Sequence, residues 1–135
     1  MIIDSDSIYD LKGQALDTAV SEIVLEWHVE ELDNGYGYPA KYWINKEGEN
    51  LHPVNFWSPS WRIEQAMIVA NFMGIALIPQ SREEGKFDWY ALDLNSVSYQ
   101  GDEIILNTRN DSGIVTDRPA ESICKAALYS KLNSK

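Results

Sequence analysis

The residue types that most often carry out chemistry are few and scattered in this chain of 135 residues. It has two histidines, His28 and His52, and one cysteine, Cys124, far from both in the sequence. A zinc site needs three or four ligands, usually at close spacing, and a nucleophilic thiol needs neighbours that favour the thiolate. The sequence around these residues offers neither. We therefore expect no metal site, no cofactor and no catalytic residue.

Carboxylates occur in adjacent pairs, at Glu30-Glu31, Glu83-Glu84 and Asp102-Glu103. A hydrolytic pair needs two carboxyl groups that are separated in space and differ in their environment. Neighbours in polar turns rarely meet that condition, and charged residues are mostly exposed. These pairs therefore indicate solvated surface rather than an active site.

One cluster of side chains suits the binding of a ligand. It combines indole rings, hydroxyls and a guanidinium, on Trp57, Ser58, Ser60, Trp61 and Arg62. Free amides at a helix start favour anions, and indoles can stack on bases. This suggests an anion or nucleotide site, to which Tyr36, Tyr38 and Tyr42 could contribute from a nearby loop. The simpler alternative, which we favour, is a capped helix whose tryptophans lie in the core and whose Arg62 pairs with an acid such as Glu64.

Charge is unevenly distributed along the chain, whose formal net charge is −10. Residues 1–60 hold eleven acids and three bases, a net of −8, and residues 61–135 hold ten acids and eight bases, a net of −2. This balance disfavours direct binding to nucleic acid and permits a basic partner, including a protein that itself binds nucleic acid. A plain solubilising surface is the alternative. The acids expected to form the partner-binding surface are Glu22, Glu26, Glu30 and Glu31.

The sequence also indicates a compartment. A single cysteine permits no intrachain disulfide, which suits a reducing environment. Residues 1–7 lack the basic region and apolar core of a signal peptide, and no apolar run approaches the ~20 residues that span a bilayer. We expect a cytoplasmic protein that does not cross a membrane. The oligomeric state is left open.

The clearest element is a helix that ends at Met73. Ser58 or Ser60 can cap it, with Pro59 in its first turn, and Gly74 follows as the left-handed closing residue. Its apolar residues recur at three- and four-residue steps, at Ile63, Ala66, Met67, Ala70 and Met73. This stripe predicts a helix that presses on a sheet in the middle of the fold.

Two further helices are predicted, one near each end of the chain. The first runs from about Ser7 to Trp27, although Gly13 weakens its start. Its apolar face consists of Leu16, Val20, Ile23, Val24 and Trp27. The last follows Asp117 as a possible cap, with Pro119 in its first turn. Its apolar face consists of Ala120, Ile123, Cys124, Ala127, Leu128 and Leu132.

Strands are predicted between these helices. They lie at residues 41–45, 75–78, 87–91, 96–100 and 103–107. Gly101 and Asp102 form a hairpin turn, and Pro53 restricts its segment to an edge strand or a loop. The order predicts a single α+β domain over residues 1–135, with an antiparallel sheet and three main helices packed on it. The residues expected to face the sheet are Ile63, Met67, Ala70, Ile123 and Ala127.

Three segments are distinctive together: the helix at 117–128, the entry at 57–61, and an amino-terminal helix ending at Glu26-Trp27. In these segments the chain resembles the small phage-encoded proteins described as phage ABA sandwich domains. The resemblance implies a sheet between helical layers and a phage or prophage origin. It implies no chemistry, because that family is largely without assigned activity. The long middle hairpins, at 82–108, depart from its pattern.

A binding protein is therefore expected rather than an enzyme. By analogy with phage accessory proteins, the leading hypothesis is an anti-CRISPR-like inhibitor of a host defence system. Its acidic surface would bind a basic, nucleic-acid-binding effector in the bacterial cytoplasm. The alternative is a small-molecule sponge that holds a nucleotide immune signal at residues 57–62. An enzyme with an unrecognised site is the third possibility.

Overall fold

Glycine and proline set the limits of several helices in the computed structural model, which describes residues 5–33, 35, 37, 39–93, 97–106 and 114–133. The four α-helices of this part are α1 (Ser5–Ile8), α2 (Gly13–Ala19), α3 (Ile63–Met73) and α4 (Pro119–Asn133). Gly74 closes α3 in the left-handed conformation, with φ 72°, and its amide donates to the carbonyl of Ala70 at 2.8 Å. A residue with a side chain is strained at such a φ, which is why glycine ends this helix.

The predicted first helix is interrupted. Helix α1 stops at Ile8, and α2 starts at Gly13 and continues into a π-helical turn over Val20–Val24. The helix therefore does not reach Trp27, since Glu26 already has a positive φ of 58°. Of the predicted apolar face, Leu16, Val20 and Val24 are nevertheless buried, and Ile23 is partly buried against the core.

The first sheet follows directly. Its strands are β1 (His28–Asp33), β2 (Pro39–Ile44) and β3 (Asn50–Pro53), antiparallel and in that spatial order. Strand β1 was not predicted, because its charged residues lack the alternation that marks a half-buried strand. The edge position of β3 confirms the expectation from Pro53, and a 3₁₀ turn over Val54–Phe56 comes after it.

The remaining strands form a second three-stranded sheet and a separate hairpin. The second sheet consists of β4 (Ile75–Glu83), β5 (Lys86–Asp93) and β8 (Ile114–Thr116), in the order β4-β5-β8. Strands β6 (Val97–Gln100) and β7 (Glu103–Leu106) pair around the turn predicted at Gly101 and Asp102. The short β8 was missed. The strands thus fall into several antiparallel sheets rather than one.

Helix α4 is the element around which the others pack. Ile123, Cys124 and Leu128 lie in the main core cluster with residues of α2 and α3. A different side of α4 meets the second sheet, where Ala126 packs with Ala91 of β5. The hydroxyl of Ser122 donates to the carbonyl of Trp89 at 2.8 Å on that side. Helix α4 therefore lies between the second sheet and the other helices.

Helix α3 buries a narrower face than its sequence predicts. Ala66, Val69 and Ala70 are its buried residues, whereas Ile63 and Met67 are each 43% exposed. The prediction that Ile63 and Met67 face a sheet is therefore wrong, because α3 packs chiefly on α4 through its small residues. The α+β class, with three main helices and antiparallel sheets in one domain, is confirmed.

Candidate functional site

The segment 58–61, expected to open the central helix, is a turn. Helix α3 begins at Ile63, and Arg62 precedes it in an extended conformation with φ −94° and ψ 115°. Among the described residues no side chain caps this helix. The amide of Arg62 instead donates to the carbonyl of Ser58 at 2.8 Å. The prediction that Ser58 or Ser60 caps the helix is therefore wrong, because the helix begins at Ile63 and the N-cap position is occupied by Arg62.

Side chains from two helices hold this turn in place. From α3, Gln65 accepts the amide hydrogen of Ser58 through Oε1 at 2.6 Å and donates through Nε2 to the carbonyl of Phe56 at 2.8 Å. From α2, Asp17 accepts the amide hydrogen of Ser60 at 2.7 Å. The two serines thus anchor the turn through their backbone, and these amides are not free to bind an anion.

Trp57 belongs to the core, as the simpler interpretation of the cluster expected. Only 2% of it is exposed, and its indole nitrogen donates to the hydroxyl of Ser21 at 2.7 Å. Its ring stacks on His52 at 4.8 Å between centroids and meets Trp27 at 4.9 Å. Burial lowers the pKa of His52 below its ordinary value of 6.5. Trp57 therefore cannot offer a ring face to a ligand.

Trp61 behaves in the opposite way, contrary to the expectation that both tryptophans are core. It is 67% exposed, and the guanidinium of Arg118 lies over its ring at 4.5 Å from the centroid. Arg118 immediately precedes α4, so the fold brings the two residues together from distant parts of the sequence. No local pattern could have indicated this cation–π contact.

A cleft of about 460 Å³ lies beside these residues, and we call it the Trp61 cleft. Its walls come from α2, the 54–61 segment and the start of α4. The lining residues are Lys12, Gly13, Gln14, Asp17, Val54, Asn55, Trp57, Ser58, Ser60, Trp61, Arg118 and Glu121. Four of the five predicted site residues thus line one cleft, and Arg62 does not. Sequence reasoning missed Lys12 and Arg118, the two cations of the cleft.

The two carboxyl groups of the Trp61 cleft are engaged within the protein. Glu121 pairs with the buried ammonium of Lys125 at 3.9 Å, and burial lowers the pKa of Lys125. Burial raises the pKa of Asp17, against the hydrogen bonds from Ser60 that lower it. Among described residues, no carboxylate pairs with Lys12 or Arg118. Lys12 and Arg118 therefore keep their positive charges available in the cleft. The carboxyl groups of Glu121 and Asp17 are already bonded within the protein.

The four predicted partner-binding glutamates are all exposed but do not lie on one helix. Glu22 belongs to the π-helical turn, and Glu26 follows it. Glu30 and Glu31 are neighbours in β1, so they point to opposite faces of the first sheet. Two of the four have partners, since Lys46 pairs with Glu26 and His28 lies 3.0 Å from Glu30. The four carboxylates therefore do not all face the same way.

The tyrosines suggested as neighbours of the cluster are only partly described. Tyr36 and Tyr38 lie outside the described residues. Tyr42 lines a second cleft, of about 540 Å³, which shares Gln14, Val54 and Asn55 with the Trp61 cleft. Tyr42 is thus placed next to the predicted cluster without lining the Trp61 cleft itself.

Neither the single thiol nor the metal-ligating side chains of the described residues are arranged as a reactive site. Cys124 is fully buried, and burial, with Asp17 and Glu121 nearby, raises its pKa well above 9.0. It is therefore a thiol packed in the core. The part of the chain that the structure describes holds no group of three or more histidine, cysteine, aspartate or glutamate residues placed for a metal ion.

No family model, curated protein or solved structure matches the chain. Within the described ranges, none of the helices has the length and apolar character needed to cross a bilayer.

Proposed function

We propose that the chain is a binding protein of the phage accessory type, and that it inhibits a host defence system by contacting a basic effector. The proposed effector binds nucleic acid, so its own surface is rich in lysine and arginine. Contact takes place in the bacterial cytoplasm, and the chain itself performs no catalysis.

One observation carries this proposal. All seven acids between residues 22 and 49 are exposed, and only two lysines, Lys41 and Lys46, lie among them. The acids are Glu22, Glu26, Glu30, Glu31, Asp33, Glu47 and Glu49. Exposed charge of one sign attracts a partner of the opposite sign and speeds encounter. The first sheet and the turn before it thus form an acidic surface suited to a basic protein.

Few of the carboxylates on this surface have a positively charged neighbour. In β1 and β2, Glu31 lies opposite Lys41 and Glu30 lies opposite Tyr42. Lys46 is occupied by Glu26. Lys46 is thus taken up by one acid and Lys41 lies beside another, so most carboxylates of the surface keep their charge available.

The test uses two variants that each remove four negative charges from the net −10. One changes the acidic surface, at Glu22→Gln, Glu26→Gln, Glu30→Gln and Glu31→Gln. The matched control changes exposed acids elsewhere, at Glu64→Gln, Glu83→Gln, Glu84→Gln and Glu103→Gln. A partner captured from bacterial extract on the wild-type protein is then titrated against all three proteins across ionic strength.

The surface variant should associate more slowly and with a weaker salt dependence, while the control should match the wild type more closely. Steering by exposed charge acts on the association rate and is screened beyond ~8 Å at physiological salt. Equal rates and salt slopes for the two variants would show that total charge, and not this surface, governs the encounter. The proposal would then fail.

A further inference from the structure

We propose that the Trp61 cleft binds a nucleotide, with its phosphate held by Lys12 and Arg118 and its base stacked on Trp61. None of the seven acids of the acidic surface lines this cleft, and the inference does not depend on the proposed inhibitor function. It follows from three properties of the cleft, which are its available cations, its open indole ring and its size.

The available cations point to an anionic ligand. Lys12 and Arg118 both line the cleft, and no carboxylate of the described residues pairs with either of them. A guanidinium presents a planar fork of donors that matches phosphate oxygens, and an ammonium adds a point charge. Together the two cations should bind a phosphate more tightly than a carboxylate, because a phosphate offers more oxygen atoms to accept their hydrogen bonds.

The acids in the cleft do not cancel these cations. Glu121 is directed to Lys125, whose side chain is only 3% exposed and also donates to the carbonyl of Tyr9 at 2.8 Å. Asp17 accepts the amide hydrogen of Ser60. Both carboxyl groups therefore serve the fold, and a ligand phosphate meets the unpaired positive charges first.

The indole of Trp61 supplies a surface for a flat ring. Two thirds of this residue is in contact with water, at 67% exposure, while the guanidinium of Arg118 covers one face at 4.5 Å. Large aromatic side chains usually bury more of their area. The other face can stack on a nucleobase, and such stacking tolerates any base because each has a π-face.

The size of the cleft fits a ligand of this class. Its volume of about 460 Å³ falls within the roughly 300–1,000 Å³ of clefts that hold small organic ligands. The overall charge of −10 repels anions at long range, so the expected affinity is moderate and strongest for ligands that use phosphate and ring together.

The experiment measures binding of AMP, CMP, GMP and UMP by calorimetry, with adenosine and inorganic phosphate as partial ligands. Three substitutions test the site, namely Lys12→Gln, Arg118→Gln and Trp61→Ala, all at exposed positions. The matched control is Arg62→Gln, which removes an exposed arginine next to Trp61 that does not line the cleft. Circular dichroism verifies that each variant is folded.

At least one nucleotide should bind more tightly than both adenosine and phosphate. Each of the three cleft substitutions should weaken that binding by about tenfold or more, as expected for the loss of a charge-assisted hydrogen bond or a stacking surface. Arg62→Gln should leave it unchanged. The proposal is overturned if no nucleotide binds at millimolar concentration. It is also overturned if phosphate alone binds as tightly, or if folded variants at both Lys12 and Arg118 keep wild-type affinity.

Discussion

Asp17 combines burial with charge at a position where the fold depends on it. Only 7% of the residue is exposed, and its carboxyl group fixes the 58–61 turn to α2 by accepting the amide hydrogen of Ser60. Burial raises its pKa above the ordinary value of 3.8. The folded protein therefore holds this proton more tightly than the unfolded chain. The contribution of Asp17 to stability is thus greatest below the unfolded pKa and is lost as the pH rises through the folded pKa.

This predicts a pH-dependent effect of Asp17→Asn. The amide keeps an oxygen acceptor for Ser60 but cannot ionise, so the variant should gain free energy of unfolding relative to wild type as the pH rises. Guanidinium unfolding of both proteins, from acidic to neutral pH, measures the difference. Parallel stability curves would show that the carboxyl group titrates alike in the folded and unfolded states.

Trp57, just before the turn, and Trp61, at its end, should differ in how far their substitution destabilises the protein. Trp57→Phe removes the donor to Ser21 from a buried site, which should cost about 1–3 kcal/mol of unfolding free energy. Trp61→Phe changes an exposed ring and should cost no more than about 0.5 kcal/mol. Urea unfolding compares the two variants. Similar losses at both positions would contradict the placement of Trp57 in the core and Trp61 at the surface.

Two adjacent positions of helix α3 should differ strongly in how far an introduced aspartate destabilises the protein. Ala66 is fully buried and Met67 is 43% exposed, so Ala66→Asp places an unpaired charge in the core whereas Met67→Asp places one partly in water. Ala66→Asp should lose several kcal/mol and fail to fold, and Met67→Asp should lose about 1 kcal/mol or less. Circular dichroism and thermal melting distinguish them. A folded Ala66→Asp protein with wild-type melting would contradict the packing of α3 on α4.

The elements differ in how far their sequence predicts them. Helix limits at Gly74 and Pro119 were predictable because they depend on local backbone geometry. Strand β1 was not, because a two-sided polar strand has no hydrophobic alternation to detect. The burial of Ser122 in α4 was missed because its hydroxyl is satisfied by the tertiary fold: it donates to the carbonyl of Trp89 in β5 and accepts the amide hydrogen of Thr116 in β8.

The same limit applies to the Trp61 cleft. Trp57, Ser58, Ser60 and Trp61 are close in sequence, so their cluster was visible and does line one cleft. Lys12 and Arg118 come from the amino-terminal helix region and from the start of α4, and only the tertiary fold brings them to that cluster. Arg62 was chosen because it is adjacent in sequence, whereas the structure places Arg118 on the indole ring.

At the scale of the whole molecule, a net charge of −10 opposes compaction, since like charges approach one another on folding. Screening by sodium chloride should therefore raise the melting temperature between low salt and roughly 0.5 M, where the Debye length is only about 4 Å. Differential scanning calorimetry measures the change. The four-fold glutamine variant of the acidic surface should respond less to salt. An unchanged or lower melting temperature in the wild type would show that its carboxylates are already well separated.

The central position of α4 has a consequence for how the protein folds as it is made. Ribosomes release the chain from its amino terminus, and the residues before α4 emerge first. The apolar faces of α2, α3 and β5 that α4 covers are therefore synthesised before α4 and cannot yet pack against it. Until residues 119–133 emerge, these apolar faces meet water or one another. The nascent protein therefore cannot close its core until this last helix has left the exit tunnel.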